Sequence, residues 1–191
     1  ARLNALPEVD YEDVMRVKSR FFKQAFDHGR KHLLADASFN AFVKENQKWL
    51  LPYAVFSCLR DRYGTCEHQT WPEHRRMTMK DCVAFASPKA DHFDDVAVHY
   101  FIQYHLHLQL LDAATYARER GVALKADIPI GVFRHSVDTW MDPDSFNMDG
   151  QAGSPPDYFS IDGQNWGFPT YNWEVMARTD YSWWRNRLIK L

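Results

Sequence analysis

Residues 153–173 combine the side-chain types that bind a sugar. The run holds six aromatic residues among acids and amides, with two adjacent prolines and three glycines. The prolines lack backbone donors and the glycines leave the backbone permissive, so the run predicts neither a helix nor an ordinary strand. A solvated linker would not carry this much apolar surface. Because pyranose C–H faces stack on rings while hydroxyls pair with acids and amides, the run predicts a binding loop.

The same run resembles the loop signature of the 4-α-glucanotransferases (amylomaltases or disproportionating enzymes, glycoside hydrolase family 77). That signature is roughly G-[AS]-P-P-D-x-F followed by G-Q-x-W-G-x-P-x-Y-x-W, and residues 153–159 and 163–173 meet its fixed positions. The second half is most similar to the larger, multidomain disproportionating enzymes that act on maltose and branched glucans.

The bulk composition narrows the classes of partner and the cellular location. The chain has 23 basic and 25 acidic residues, which predicts no electrostatic attraction to nucleic acid or to an anionic membrane. It also lacks an 18-residue apolar run that could span a bilayer. Three cysteines without a C-x-x-C pair favour free thiols over a disulfide framework or zinc knuckle, and therefore a cytoplasmic protein.

Apolar periodicity predicts that most of the chain is helical. A first helix follows Asp10, a second region covers residues 39–63, and the longest helix runs from Asp91 to about Arg120. Pro52 marks a new helix start or a kink within the second region. Gly64 and Gly121 are predicted C-terminal stops, and two short helices are expected after Asn172 and after Asp180.

Residues 122–132 form the one convincing predicted strand. The run is almost continuously apolar and is interrupted by Asp127, which suits a parallel strand buried on both faces. Residues 127–130 match the family motif G-D-[LMI]-P-I, except that Ala126 replaces the usual glycine. The resemblance implies that this strand belongs to a (β/α)₈ TIM barrel, and that residues 1–121 are a helical excursion from it. Residues 122–191 would supply the barrel strand, the substrate loop and the following helices.

The predicted fold class is therefore mainly α with a few β-strands, as a segment of a TIM-barrel catalytic domain. The chain of 191 residues is shorter than the roughly 250 residues of a complete barrel.

Six residues are predicted to bind substrate. Asp127 interrupts an apolar run, where an ionised carboxylate is costly unless paired, although it could serve only to tie down loops. In the family, its counterpart contributes to the sugar site. Trp166 could stack on a pyranose or could be a core anchor, and Asp157 could be a ligand or a turn cap. The predicted substrate-binding residues are Asp127, Asp157, Tyr158, Phe159, Gln164 and Trp166, with Tyr158 and Phe159 matching a lid over the family's cleft.

Other polar residues have structural interpretations. Asn172 suits a helix N-cap. Ser136, Asp138 and Trp140 match S-V-[DE]-x-W, whose default role is structural. His105 and His107 are two residues apart on a predicted helix and cannot share an ion, and H-E-x-x-H is absent. We expect no metal and no cofactor.

Retaining glycosyl transfer needs a nucleophile and an acid/base carboxyl group about 5–5.5 Å apart. The family nucleophile lies in an R-x-D-H-type motif that is absent here, so both groups are expected beyond Leu191 and no catalytic residue is assigned. The resemblance implies part of an enzyme that moves α-1,4-glucosyl or glucanosyl units between maltooligosaccharides or glucans by double displacement. Its partners would be that substrate and the rest of the catalytic domain, and the chain alone is expected to be inactive.

Two other classes remain open at this stage. One is a non-catalytic carbohydrate-binding module that uses the same aromatic residues. The other is a helical interaction domain whose aromatic residues only pack against each other.

Overall fold

The computed structural model describes residues 2–189. The outer ends of the two predicted regions, residue 1 and residues 190–191, lie outside the described residues. Within that range the chain is mainly helical with a few short strands, which confirms the fold class at this level. The α-helices are α1 (Tyr11–Ala35), α2 (Ala37–Glu45), α3 (Gln47–Tyr63), α4 (Met79–Phe85), α5 (Phe93–Glu119), α6 (Val137–Met141), α7 (Trp173–Arg178) and α8 (Ser182–Leu188). The strands are β1 (Phe146–Asn147), β2 (Gly153–Ser154), β3 (Gln164–Asn165) and β4 (Thr170–Tyr171).

The chain divides into two units, and both are discontinuous in sequence. One unit contains the residues up to Cys58 together with Phe85–Glu119, and the other contains Leu59–Ala84 with the residues from Arg120 onward. All six predicted substrate-binding residues belong to the second unit. Each α-helix in the described part of the chain is too short or too polar to cross a lipid bilayer.

The first unit has an aromatic core between helices. Phe26 of α1 packs on Phe101 of α5 with ring centroids 5.9 Å apart. Phe39 and Phe42 of α2 both lie 5.4 Å from the ring of Tyr104 on α5. On α2 and α5 these rings are about one helical turn apart, so the apolar periodicity of the sequence corresponds to a buried stripe between the helices.

The helix boundaries follow the predicted caps. The Asp10 carboxylate accepts the N–H of Asp13 at 2.9 Å and caps α1, as expected. Gly64 and Gly121 follow α3 and α5 with φ of 71° and 70°, the left-handed conformation that ends helices. Asn172 caps α7 by accepting the N–H of Val175 at 3.3 Å. These end signals act locally, which is why the sequence predicts them well.

Two helix details differ from the expectation. Of the two alternatives for Pro52, the helix start is wrong, because α3 begins at Gln47 and continues through the proline. The interruption lies at Asn46, whose side-chain amide donates to the carbonyl of Phe42 at 2.8 Å. The apolar residues of α1 are also only partly buried, since Phe26 is buried whereas Val17 and Phe21 are exposed. Periodicity reports an apolar face but not whether a partner covers it.

The strand predicted at residues 122–132 does not form in this structure. The segment has no assigned secondary structure, and residues 121–127 are exposed to solvent. The four described strands pair antiparallel with each other, β1 with β4 and β2 with β3, and none pairs with this segment. A strand needs a neighbour for its backbone N–H and C=O groups, and the described part of the chain supplies none here.

The second unit is organised around tryptophans and a small apolar cluster. Trp71 and Trp140 are buried with ring centroids 6.2 Å apart, and the Trp140 indole N–H donates to the carbonyl of His74 at 2.8 Å. A separate cluster has Val132, Phe146 and Met176 at its centre. Val132 lies at the end of the segment that follows Asp127, so its packing in this cluster holds that end of the segment in place.

Candidate functional site

The aromatic run is an ordered antiparallel ribbon. Phe146 pairs with Tyr171 at the base, and Gly153 pairs with Asn165 further out. Between these two pairs, Ala152 donates its N–H to the carbonyl of Phe168 at 2.8 Å and accepts the N–H of Trp166 at 3.0 Å. The predicted loop is therefore a two-stranded arm with a turn at its end, and the two adjacent prolines lie in that turn.

Close backbone contacts explain one glycine of the ribbon. A β-carbon on Gly153 would lie 2.1 Å from the carbonyl oxygen of Gln164, so only glycine fits this pairing. Arg134 supports the same arm from the side, because its guanidinium donates to the carbonyls of Met148 and Gly150. The sequence signature marks the glycine, but nothing in the sequence pattern marked Arg134.

The turn at the end of the ribbon displays two aromatic rings. The Asp157 Oδ1 atom accepts the N–H groups of Phe159 at 2.9 Å and Ser160 at 2.8 Å, so Asp157 caps the turn. Tyr158 and Phe159 are 94% and 91% exposed, with ring centroids 5.6 Å apart in an edge-on arrangement. Large apolar rings held this far into solvent by a well-bonded turn are typical of a binding surface.

Trp166 lies on one edge of the ribbon with its ring accessible. Its indole N–H donates to the Gln164 Oε1 atom at 2.9 Å, which leaves the amide NH₂ of Gln164 available as a donor. The Trp166 side chain is 41% exposed, more than a core anchor would be. Its ring centroid lies 5.8 Å from that of Phe168, and the two rings line an open apolar depression together with Ile130. The arrangement offers an apolar face beside an amide.

Asp127 is a solvent-facing acid, not a carboxylate buried in an apolar strand. Its Oδ1 atom accepts the N–H of Ile128 at 3.1 Å. Within residues 2–189 its carboxylate has no hydrogen bond to Gln164 or Trp166. The structure therefore brings Ile130, Gln164 and Trp166 together, and leaves Asp127 three residues before Ile130 as a separate group.

The segment after Asp127 is attached to the base of the ribbon and to α8. The hydroxyl of Tyr171 donates to the carbonyl of Ile130 at 2.9 Å, and the Arg187 guanidinium donates to the carbonyl of Pro129 at 3.2 Å. Burial raises the pKa of the Tyr171 hydroxyl, so it remains a donor at neutral pH. Tyr171 belongs to the matched signature, whereas Arg187 had no signal beyond its place on a predicted helix.

The residues expected to be structural make structural contacts. Ser136 caps α6 by accepting the N–H of Thr139 at 3.5 Å, and Asp138 accepts the indole N–H of Trp183 at 3.0 Å. Buried His68 lies 6.5 Å from His135 between ring centroids, and burial is the main cause that lowers its pKa. Among residues 2–189, no three His, Cys, Asp or Glu side chains are placed to hold a metal ion.

The whole chain matches a known family. The 4-alpha-glucanotransferase model of glycoside hydrolase family 77 covers residues 1–191. The chain is 45% identical over 184 residues to the 4-alpha-glucanotransferase DPE2 of Oryza sativa subsp. japonica, which covers 96% of this chain and 20% of the rice protein. It is 33% identical over 190 residues to a 4-alpha-glucanotransferase of Aquifex aeolicus, covering 96% of this chain and 38% of that protein.

A solved structure has the same fold. The amylomaltase from Streptococcus agalactiae in complex with acarbose superposes with a TM-score of 0.78 at 27% identity, covering 95% of this chain and 38% of that chain. The chain thus spans between about a fifth and two fifths of the length of these relatives.

Proposed function

The chain belongs to the 4-alpha-glucanotransferase family, and from that premise we propose that it is the substrate-binding part of such an enzyme. The enzyme would transfer α-1,4-glucosyl or glucanosyl units between maltooligosaccharides or glucans through a covalent intermediate with retention. The observation that supports this most is the ribbon, which presents the family signature as an ordered arm with accessible rings at its end and edge.

The chain would contribute binding and exclusion of water, while the bond-making carboxyl groups lie outside it. A retaining transferase must let an acceptor sugar reach the intermediate before water does. Tyr158 and Phe159 suit that task, because two exposed rings on a capped turn can cover a bound glucan and keep water away. Asp157 orients that turn with one oxygen and retains the other for a hydroxyl group.

Trp166 and Gln164 would form the wall of a sugar subsite. The Trp166 ring and its neighbour Phe168 offer an apolar face, and the Gln164 amide offers donors at the edge of that face. Asp127 would accept hydrogen bonds from sugar hydroxyls, since its carboxylate faces solvent and has one local partner. The sugar site needs no metal or organic cofactor for these contacts.

The longer protein would place this chain in its barrel. We propose that residues 1–121 form a helical excursion and that residues 122–191 contribute a strand, the ribbon and two helices. The exposed backbone of residues 121–127 would then pair with neighbouring barrel strands from the rest of the catalytic domain. The three cysteines and the balanced charge support a cytoplasmic location, without nucleic acid or membrane as a partner.

Disproportionation of maltotriose tests the proposal directly. The native polypeptide that carries residues 1–191 is expected to produce glucose together with longer maltooligosaccharides, whereas residues 1–191 alone are expected to produce neither. Products from residues 1–191 alone would mean that the nucleophile and acid/base lie within this chain. Sugar binding without any products from either form would favour a non-catalytic carbohydrate-binding module.

Trp166→Ala tests whether the Trp166 ring binds sugar or only packs within the fold. We expect weaker sugar binding by the native polypeptide and an unchanged circular dichroism spectrum. Trp49→Ala is the matched control, because Trp49 is 38% exposed and its indole N–H donates to the Asn46 side-chain oxygen at 2.9 Å, as Trp166 does to Gln164. Loss of folding in Trp166→Ala, with binding unchanged in the folded fraction, would contradict the binding role.

A further inference from the structure

The backbone that follows Asp127 is held by side chains. Residues 122–129 have no assigned secondary structure, so no strand partner bonds to them within the described residues. Two consecutive carbonyl groups, those of Pro129 and Ile130, nevertheless have strong donors, the Arg187 guanidinium at 3.2 Å and the Tyr171 hydroxyl at 2.9 Å. Both donors come from elements more than 40 residues later in the chain, so the contacts are tertiary.

Tyr171 is a rigid donor. Its ring is half-buried in β4 and has four aromatic neighbours whose centroids lie between 5.1 and 5.7 Å away. These neighbours are Phe146, Trp173, Trp183 and Trp184. A phenol ring packed on several sides loses little further freedom when its hydroxyl bonds, so the bond to Ile130 defines a position.

Arg187 is oriented by a second chain of contacts. Its guanidinium carbon lies 4.8 Å from the ring centroid of Trp183, a cation–π arrangement. The indole N–H of Trp183 in turn donates to Asp138 at 3.0 Å, on α6. Arg187 therefore connects α8 to the backbone of the segment after Asp127, and its planar guanidinium is fixed on one face by an aromatic ring.

The same short segment carries one wall of the candidate sugar subsite. Ile130 lines the depression with Trp166 and Phe168. At the next residue, a β-carbon on Gly131 would lie 2.4 Å from the Phe168 ring, so the backbone and that ring are in direct contact. The position of residues 129–131 thus determines both the shape of the depression and the direction from which Asp127, two residues earlier, approaches it.

We propose that Tyr171 and Arg187 are positioning residues, which bind the Pro129 and Ile130 carbonyls and thereby set Asp127 relative to the Trp166 face. This inference rests on the proposed function, because it assumes that Asp127 and Trp166 bind the sugar. It assigns to both residues a role that acts through the backbone of residues 129 and 130. Neither the family signature nor the charge pattern indicates that role.

Tyr171→Phe tests the proposal in the native polypeptide, since it removes one hydroxyl and keeps the packed ring. We expect KM for maltotriose to rise about 2- to 10-fold, the range for loss of one neutral hydrogen bond, with kcat nearly unchanged. Tyr53→Phe is the matched control, because its hydroxyl also has one hydrogen-bond partner, accepting from the Gln103 amide at 3.2 Å in the first unit. The control is expected to leave KM unchanged.

A double mutant distinguishes positioning from simple support. If Tyr171 acts through Asp127, then Tyr171→Phe should raise KM much less in the Asp127→Asn background than in the parent. If Tyr171→Phe raises KM by the same factor in both backgrounds, the positioning role is overturned and the proposed function remains intact. No effect of Asp127→Asn on KM would overturn the sugar-binding role of Asp127, and with it this inference.

Arg187→Met provides a second test that leaves the Tyr171 hydroxyl in place. The change keeps an unbranched side chain but removes the donor to Pro129. Arg185→Met is its control on the same helix, because Arg185 pairs with exposed Asp180 and not with the segment after Asp127. We expect KM to rise in Arg187→Met and not in Arg185→Met. The same KM for both variants would overturn the assignment of Arg187.

Discussion

Replacing Gly153 by alanine should open the ribbon locally. The added β-carbon would meet the backbone carbonyl oxygen of Gln164 at 2.1 Å, and backbone cannot rotate away as a side-chain tip can. The strands must therefore separate by about an ångström, since carbon–oxygen contacts below 3.0 Å do not occur in native structures. The two flanking backbone bonds, from Ala152 to Phe168 at 2.8 Å and from Trp166 to Ala152 at 3.0 Å, would weaken with them.

The magnitude follows from those two bonds. Each bond contributes about 0.5–1.5 kcal/mol. The free energy needed to open the ribbon locally is therefore about 1–3 kcal/mol lower in Gly153→Ala than in the parent. Amide hydrogen exchange at Ala152 and Trp166 should then accelerate by roughly 5- to 150-fold, since each 1.4 kcal/mol is a factor of ten. Exchange at Phe26, in the core of the first unit, should not change, which separates local opening from global unfolding.

Gly29→Ala is the matched control for this experiment. Gly29 lies inside α1, and a β-carbon there would have no atom within 4 Å. The substitution should stabilise the helix by about 0.5–1 kcal/mol and leave exchange in the ribbon unchanged. Unchanged exchange at Ala152 and Trp166 in Gly153→Ala would refute the reasoning, because the strands would then tolerate a methyl group where the structure leaves no space.

Two further predictions concern stability. Burial lowers the pKa of His68 below 6.5, so the unfolded chain takes up the proton first and the free energy of unfolding should fall as the pH drops below about 6.5. Urea unfolding at about pH 7 and about pH 5 should show a smaller loss for His68→Gln than for the parent, and equal losses would contradict this pKa direction. Asn172→Ala should destabilise the chain by about 0.5–2 kcal/mol, since it removes the cap on the Val175 N–H. A urea midpoint equal to that of the parent would show that this cap contributes nothing.

Local signals in the sequence predicted the longer helices and several helix ends, but not α4 or α6. Asp10 and Asn172 cap the helices that follow them, and Gly64 and Gly121 end the helices before them. In each case the hydrogen bond or dihedral involves residues within about four positions, so the pattern along the chain contains the needed information. The signature in residues 153–173 likewise predicted the family, which the family model over the whole chain confirms.

Burial and anchoring were less predictable. Phe21 and Phe26 both belong to the apolar run of α1, yet Phe26 is buried against Phe101 while Phe21 is exposed. Arg187 appeared to be an ordinary helix residue, and its contact with Pro129 spans 58 positions. No spacing rule connects residues so far apart, because the chain between them can take many paths.

The sequence alone determined the longer helices, several of their end signals and the family, because helical hydrogen bonds and a contiguous motif are local properties. Only the tertiary structure decided that residues 122–132 lack a strand, that the aromatic run is a ribbon, and that Tyr171 and Arg187 hold the segment after Asp127. Strand pairing and side-chain anchoring require a partner from elsewhere in the chain, and only the folded arrangement identifies that partner.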